Sequence, residues 1–405
     1  MKNLISEKLS LLNQAHLLKH IKDLNKNEQQ ELIEQLENLD FSVLNDNVAN
    51  EKRGFIEPLF ATTLQDIEQN RERYKKIGID AIKAGKVGAV LLAGGQGSRL
   101  GFEKPKGMFN IGENRELFIF ECLINNLFDV VRETGVWIPL FVMTSIQNNK
   151  DTRDFFEEHN YFGYDSGSVM FFVQEQLPTV DKNGKLMLVE KGVVSTAPNG
   201  NGGWYASMIK SGLLNVLKVK QIEWLNVFAV DNVLQKMADP CFIGAVIESG
   251  KDSGSKVVAK AAPEERVGVM CLEDGKPSIV EYYEMTDEMR YSREGDGTLS
   301  YNYGVILNYL FKTEKLNELI NANLPLHKAF KKVPYYDEEI DETVCPEEAN
   351  AYKFETLVLD MVKLQDSCLA YEVERNKEFA PVKNKTGVDS VDTARALLKE
   401  NGIEL

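Results

Sequence analysis

Hydrophobic spacing divides the chain into three stretches. From the start to about residue 85, apolar positions recur three and four apart, as in Leu11 to Ile21 and again in Leu32, Ile33 and Leu36. That period puts apolar side chains on one stripe and predicts amphipathic helices. At Lys86 the texture changes. Val87-Gly88-Ala89-Val90-Leu91-Leu92 is a continuous apolar run that ends in glycines, which predicts a buried strand leading into a loop. Further apolar runs fall at Trp137 to Met143, Val169 to Val173 and Leu225 to Val230, with helical spacing between them at Leu117 to Val131 and Thr152 to His159. Such alternation predicts an α/β fold with a mostly parallel sheet and helices on both faces, whose ligands bind at the carboxyl ends of the strands. Beyond about residue 325 the spacing is mixed. Pro334, Pro346 and Pro381 punctuate it, and the acidic run Asp337 to Glu342 reads as a solvated loop. The expected organisation is an N-terminal helical lobe over 1–85, a central domain over 86–325 and a small C-terminal lobe over 326–405.

Composition narrows the class. A chain of 405 residues with 43% hydrophobic and 27% charged residues has the make-up of a soluble globular protein. No apolar run approaches the roughly 18 residues of a spanning helix. The start turns polar before a signal-peptide core can form. Five scattered cysteines without C-x-x-C spacing read as reduced thiols of a cytoplasmic protein. His16 and His20 are four apart, but no third ligand lies nearby in sequence, so a surface or packing role is expected of them. A net charge of −15 argues against nucleic acid and anionic membrane as partners. It leaves open a small anion held in a local basic pocket.

Such a pocket has a candidate. Leu91-Leu92-Ala93-Gly94-Gly95-Gln96-Gly97-Ser98-Arg99-Leu100-Gly101 is followed by Lys104-Pro105-Lys106-Gly107. Glycines after a strand let backbone N–H groups approach phosphate oxygens. The Walker pattern is absent, and the third glycine comes one residue too late for the dinucleotide fingerprint, which disfavours a nicotinamide cofactor. Between Lys86 and Asn110 there are four cations and one acid. Arg99 and Lys106 then stand where a triphosphate would lie. The alternative is a glycine turn carrying solvated lysines.

Other segments are ambiguous alone. Ala197 to Gly203 is a second glycine-rich turn that includes Gly200 and Asn201. Asp231 follows a strand, where a carboxylate can hold Mg²⁺ jointly with phosphate oxygens, or else cap a helix over 233–237. Val280 to Glu284 and Tyr301 to Gly304 offer acids, amides and aromatics suited to sugar hydroxyls, though ordinary strands carry them too. Composition alone reads Lys353 and Lys383 as solvated.

Together these stretches resemble one family, the eukaryotic-type UTP-dependent sugar-1-phosphate uridylyltransferases, or UDP-sugar pyrophosphorylases, and most of all its UDP-N-acetylhexosamine branch. The likeness is carried by Leu92 to Gly101 with Pro105-Lys106-Gly107, Ala197 to Gly203, Val230-Asp231-Asn232, Asp239 to Gly244, Val280-Glu281-Tyr282, Tyr371-Glu372-Val373, Glu378 to Asn384 and Thr393-Ala394-Arg395. These run in order along nearly the whole chain. The resemblance implies a central Rossmann-like (GT-A-like) nucleotidyltransferase domain with a mixed, mostly parallel sheet between two lobes. It implies a cytoplasmic enzyme, monomeric by expectation, that takes UTP and a sugar-1-phosphate, with N-acetylglucosamine-1-phosphate foremost. Glucose- or galactose-1-phosphate, or a broad range of sugars, is the alternative, and a binding protein without turnover is a further one.

The resemblance also assigns roles. Leu92, Ala93, Gly94 and Gly95 contact uracil with the Gln174 amide, which can both donate to and accept from the base, and Gly200 lies nearby. Arg99 and Lys106 fall to the triphosphate, and Asp231 to the nucleotide and Mg²⁺. Asn201, Gly268, Glu281 and Asn302 fall to the sugar. Lys353 and Lys383 match lysines that reach phosphates from the C-terminal side. Asn199 stands where the family's glycine turn has Asp, and two departures lie near the sugar: Val305 stands where the family tends to have a second Asn, and loops such as the one after Gly112 are shorter than in typical eukaryotic members.

Overall fold

The computed structural model describes residues 2–44, 53–320 and 324–405. They form two compact units that interleave along the chain. One gathers the residues up to 44, 175–203 and 324–358; the other gathers 53–174, 204–320 and 359–405. The sequence reading divided the chain into consecutive lobes. Spacing reports which face of a local element is buried but not which distant element covers it, so the interleaving had no local signal.

The first unit opens with three helices, α1 (Lys2–Leu11), α2 (Ala15–Asp23) and α3 (Lys26–Asn38). The apolar series from Leu11 to Ile21 does not form one helix. Asn13 adopts φ 58°, a left-handed conformation that asparagine tolerates, and the chain turns there. α3 starts on a capping box, with the Asn25 side chain accepting from the Glu28 N–H and Glu28 reaching back to the Asn25 N–H. The helices bury Leu9, Leu17, Leu32 and Leu36 against Leu177, Val180, Leu186 and Phe354. A three-stranded antiparallel sheet joins His327–Lys331, Ala351–Glu355 and Val180–Asp181. The acidic run is the turn of a short hairpin, Tyr335–Asp337 against Glu342–Val344. His16 and His20 hold different partners. His16 Nε2 meets the Leu186 carbonyl at 2.9 Å, while His20 Nδ1 meets Glu338 Oε1 at 2.9 Å. Both pack the unit, as expected.

The second unit is built on one ten-stranded sheet. Its strands are β1 (Ile56–Pro58), β2 (Val87–Leu92), β3 (Leu140–Thr144), β4 (Val169–Val173) and β5 (Trp224–Ala229), then β6 (Ser253–Ala259), β7 (Val269–Glu273), β8 (Lys276–Val280), β9 (Tyr303–Lys312) and β10 (Cys368–Glu372). The main path runs β1-β7-β9-β5-β2-β3-β4. The sheet is mixed, as expected, but its parallel pairing is confined to β5-β2-β3-β4 and to β6-β10; β9 runs antiparallel to both β5 and β6. All six residues of β2 are buried, which explains its unbroken apolar run. β3 begins only at Leu140, because Pro139 has no N–H to give a ladder.

Four helices of this unit bear on the site: α4 (Leu64–Lys83), α5 (Ile119–Thr134), α6 (Asn149–Glu158) and α7 (Pro240–Ser249). α4 crosses α7 at backbone contact. A Cβ on Gly78 would sit 1.9 Å from the Pro240 carbonyl oxygen, and one on Gly244 would sit 1.8 Å from that of Tyr74. Only glycine fits at either position. α4 therefore belongs with the sheet rather than with α1 to α3. Among the described residues no helix is long and apolar enough to cross a membrane.

Candidate active site

The parallel strands β2, β3 and β4 end side by side, and the loops leaving them are joined by hydrogen bonds. Ala93 N–H donates to the Met143 carbonyl at 2.8 Å, and Gln174 N–H to the Thr144 carbonyl at 2.7 Å. Asn148, fully buried, clamps two of the loops. Its Nδ2 donates to the Ala93 carbonyl at 2.9 Å, and its Oδ1 accepts from Ser145 N–H at 2.7 Å. Leu92, Ala93 and Gln174 are buried here, Gly94 half-buried and Gly95 exposed. A Cβ on Gly94 would lie 2.6 Å from Gln174 Oε1. Glycine is needed there so that the Gln174 carboxamide can keep its place.

Past Gly95 the chain folds back on itself. Gly97 N–H donates to the Lys104 carbonyl at 2.9 Å, Phe102 N–H to the Gly97 carbonyl at 3.2 Å, and Lys106 N–H to the Gly95 carbonyl at 3.1 Å. This closed loop returns Lys106 to the glycines and leaves Arg99 exposed on the Ser98–Leu100 turn. Lys106 Nζ faces Asp231 Oδ2 at 3.9 Å. Burial pushes the Lys106 ammonium below the ordinary lysine pKa; Asp231 opposes this, while Arg99 and Lys383 are close enough to push it further down. Arg99, Lys106, Asp231 and Lys383 thus form one electrostatic group, assembled from three separate parts of the chain.

Asp231 is not a helix cap. No helix spans 233–237; the chain from 231 to 239 is a loop, and it pairs with the segment from Glu378 to Lys383. Val382 N–H donates to the Asp231 carbonyl at 2.7 Å. Asn232, almost fully buried, donates through Nδ2 to the Glu378 carbonyl and accepts at Oδ1 from Ala380 N–H, both at 2.8 Å. These bonds fix the backbone that carries Lys383, whose Nζ pairs with Asp389 Oδ2 at 3.1 Å. Composition read Lys383 as solvated, and its side chain is 41% exposed; what is not local is the pairing of its segment with the Asp231 loop.

Gly268, Glu281 and Asn302 gather at the other side of the same sheet. A Cβ on Gly268 would stand 3.1 Å from Ile279, and 3.5 Å from both Glu281 Oε1 and Val305 Cγ2. Asn302 is held through its carbonyl and its Oδ1, both accepting from Lys260 N–H. Gly200, Asn201 and Lys353 lie in the first unit. There Gly200 has φ +85°, and a Cβ on it would be 2.2 Å from the Thr356 carbonyl oxygen. Asn201 Oδ1 accepts from Val358 N–H at 2.9 Å. Lys353, half-buried, sits on the strand Ala351–Glu355 just before these residues.

Sequence reasoning missed Asn148, Asn232, Lys256 and Glu378. Lys256 had a usable signal, as a lysine within the otherwise uncharged strand Ser253–Ala259. A buried cation there demands partners. Among the described residues, no group of three or more His, Cys, Asp and Glu forms a metal cage. Asp231 is a lone carboxylate, a quarter exposed, beside cations. That donor set fits Mg²⁺, which usually keeps several waters and takes one or two carboxylates with substrate phosphates.

A sequence profile of the UTP–glucose-1-phosphate uridylyltransferases matches residues 38–401. The human UDP-N-acetylhexosamine pyrophosphorylase-like protein 1 is 40% identical over 82% of this chain and 67% of its own. The UDP-N-acetylglucosamine pyrophosphorylase of Saccharomyces cerevisiae is 35% identical over 96% of this chain and 84% of its own. Among solved structures, the UDP-N-acetylglucosamine pyrophosphorylase of Trypanosoma brucei, in complex with an inhibitor, superposes with a TM-score of 0.82. It is 28% identical, and the match covers 98% of this chain and 84% of that one. With a profile match across most of its length and relatives this similar, the chain belongs to the UTP–glucose-1-phosphate uridylyltransferase family.

Proposed function

We propose that this enzyme converts UTP and N-acetylglucosamine-1-phosphate to UDP-N-acetylglucosamine and pyrophosphate, reversibly. The observation that carries the chemistry is the buried Lys106 facing Asp231, with Arg99 and Lys383 close enough to act on it. A phosphate oxygen of the sugar-1-phosphate attacks the α-phosphorus of UTP in line. The new bond joins that oxygen to the α-phosphorus, and the bond to the bridging oxygen of the β-phosphate breaks. The attacking phosphate is already ionised, so no protein nucleophile or base is required. Catalysis then rests on positioning and on neutralising charge as it develops.

In this reading Leu92 to Gly95 and Gln174 hold uracil. Arg99 and Lys106 neutralise the β- and γ-phosphates. Lys383 holds the sugar phosphate, and Gly268, Glu281 and Asn302 hold the sugar. Asp231 would hold Mg²⁺ together with substrate phosphates; the ion would draw off negative charge as pyrophosphate leaves.

The relatives' names support N-acetylglucosamine. A glucose, galactose or broad-range enzyme is the second reading, left open by Val305, which stands beside Gly268 where the family tends to have an Asn. Pyrophosphate release from UTP across a panel of sugar-1-phosphates separates the two. N-acetylglucosamine-1-phosphate should give the highest kcat/KM, and a higher value for glucose-1-phosphate would overturn the sugar assignment. Silence across the panel would favour a binding protein. The same reading takes the enzyme as a cytoplasmic monomer; four of its five cysteines are buried as free thiols.

A further inference from the structure

Behind the candidate site lies a cluster of buried charge that the chemistry above does not use. Lys256 lies mid-strand in β6, at the point where the register against β9 shifts between Ser255 and Val257. Such irregularities re-aim side chains. Its side chain has no exposed surface. Nζ donates to Asp239 Oδ2 at 2.8 Å, to Glu378 Oε2 at 2.5 Å and to the Lys236 carbonyl at 3.3 Å. The Glu378 side chain is 8% exposed and that of Asp239 15%. Asp239 also caps α7 by accepting from Cys241 N–H at 2.9 Å, and Lys236 Nζ approaches the far Glu378 oxygen at 3.8 Å.

Stability alone does not account for this arrangement. Buried ion pairs are often no more stabilising than apolar side chains of the same volume. What the cluster does is join two loops. Asp239 and Lys236 belong to the loop that begins at Asp231. Glu378 begins the segment that ends at Lys383. Asn232 links the two loops again, holding the Glu378 carbonyl and the Ala380 N–H. From Lys256 to Lys383 the fixed contacts therefore run without a break: ion pair to Glu378, Glu378 carbonyl to Asn232, Asn232 to Ala380, and Asp231 carbonyl to Val382.

We propose that Lys256 and Glu378 are positioning residues for catalysis, a buried ionic latch that holds the 378–383 segment so that Lys383 meets the sugar phosphate. This rests on the role given above to Lys383. Glu378 touches no reacting atom in this arrangement. Its loss lets the segment shift and lowers the fraction of bound complexes in which Lys383 is in place.

A double-mutant cycle on the full-length enzyme tests the latch, with kcat and both KM values measured and thermal unfolding recorded for each variant. Glu378→Gln keeps the side-chain shape and removes its charge. It should lower kcat by about tenfold in the wild-type background and by less than about twofold in a Lys383→Ala background, the non-additivity expected of residues acting as one unit. KM for UTP should hold within about twofold in both. Equal losses of kcat in the two backgrounds, with Lys383→Ala itself impaired, would overturn the latch and leave the uridylyltransferase reading intact. Wild-type turnover in Lys383→Ala would overturn the role of Lys383 and the latch with it. Should Glu378→Gln fail to fold, Asn232→Ser breaks the next link and leaves the ion cluster whole. The same cycle then applies, with the same coupling expected and the same additivity overturning it.

Discussion

Lys106→Ala should lower kcat by about a hundredfold or more, the scale of removing one donor aimed at developing transition-state charge. The side chain is 15% exposed and faces Asp231 at 3.9 Å, and its backbone N–H is tied to the Gly95 carbonyl at 3.1 Å. Truncation at Cβ keeps that backbone bond, so the glycine loop should hold its shape and KM for UTP should rise much less than kcat falls. Turnover in the forward direction and pyrophosphorolysis in reverse should fall together, because the same charge is stabilised in both. Near-normal turnover would sink the assignment. A parallel rise in KM with kcat preserved would instead make Lys106 a uniform binder of UTP.

The charge state of Lys106 adds a pH test. In the free enzyme burial depresses its pKa, Asp231 only partly opposes this, and Arg99 and Lys383 add to the depression. Bound triphosphate supplies negative charge and raises the pKa again. If the protonated form is the active one, as the proposed role requires, activity should fall as pH rises through the pKa. The alkaline limb of kcat/KM, which reports free enzyme, should then lie at lower pH than the limb of kcat, which reports the complex. Lys106→Arg, charged at every accessible pH, should lose the limb.

How much of this was legible follows from what each feature depends on. The strand Val87 to Leu92 could be read directly, because burial on both faces forces an unbroken apolar run. The glycine loop and its cations could be read because turn chemistry is local. The two readings of Asp231, phosphate-side carboxylate or cap of a helix over 233–237, could not be separated locally, because Asn232 gives its side chain to the Glu378 carbonyl and the Ala380 N–H, partners 146 and 148 residues away. Lys383 gave no local signal of a role: its side chain is 41% exposed and pairs with nearby Asp389, while the tie of its segment to the Asp231 loop is distant in sequence. The resemblance supplied its role where local chemistry was silent. Lys256 lay between these cases. Its oddity was visible in an uncharged strand, but its partners Asp239 and Glu378 become its neighbours only through the sheet.

Asp231→Asn should also lower kcat by about a hundredfold or more, on the same transition-state scale, while leaving the fold intact. The structure makes this a clean substitution. The contact that organises the loop is the Asp231 backbone carbonyl, which accepts from Val382 N–H at 2.7 Å and which asparagine retains. Its side chain is a quarter exposed, and asparagine has nearly the same shape. Thermal unfolding should therefore stay close to wild type, and what is lost is one negative charge beside Lys106. If Asp231 holds Mg²⁺ with the substrate phosphates, the variant should also need about tenfold more Mg²⁺ for half-maximal activity, because an amide oxygen is a weaker ligand than a carboxylate for a hard cation. Titrating Mg²⁺ against initial rate in both proteins reads this. A fall in kcat with an unchanged Mg²⁺ requirement would keep Asp231 as a partner of Lys106 and remove it as a metal ligand. Unchanged kcat would remove it from both roles.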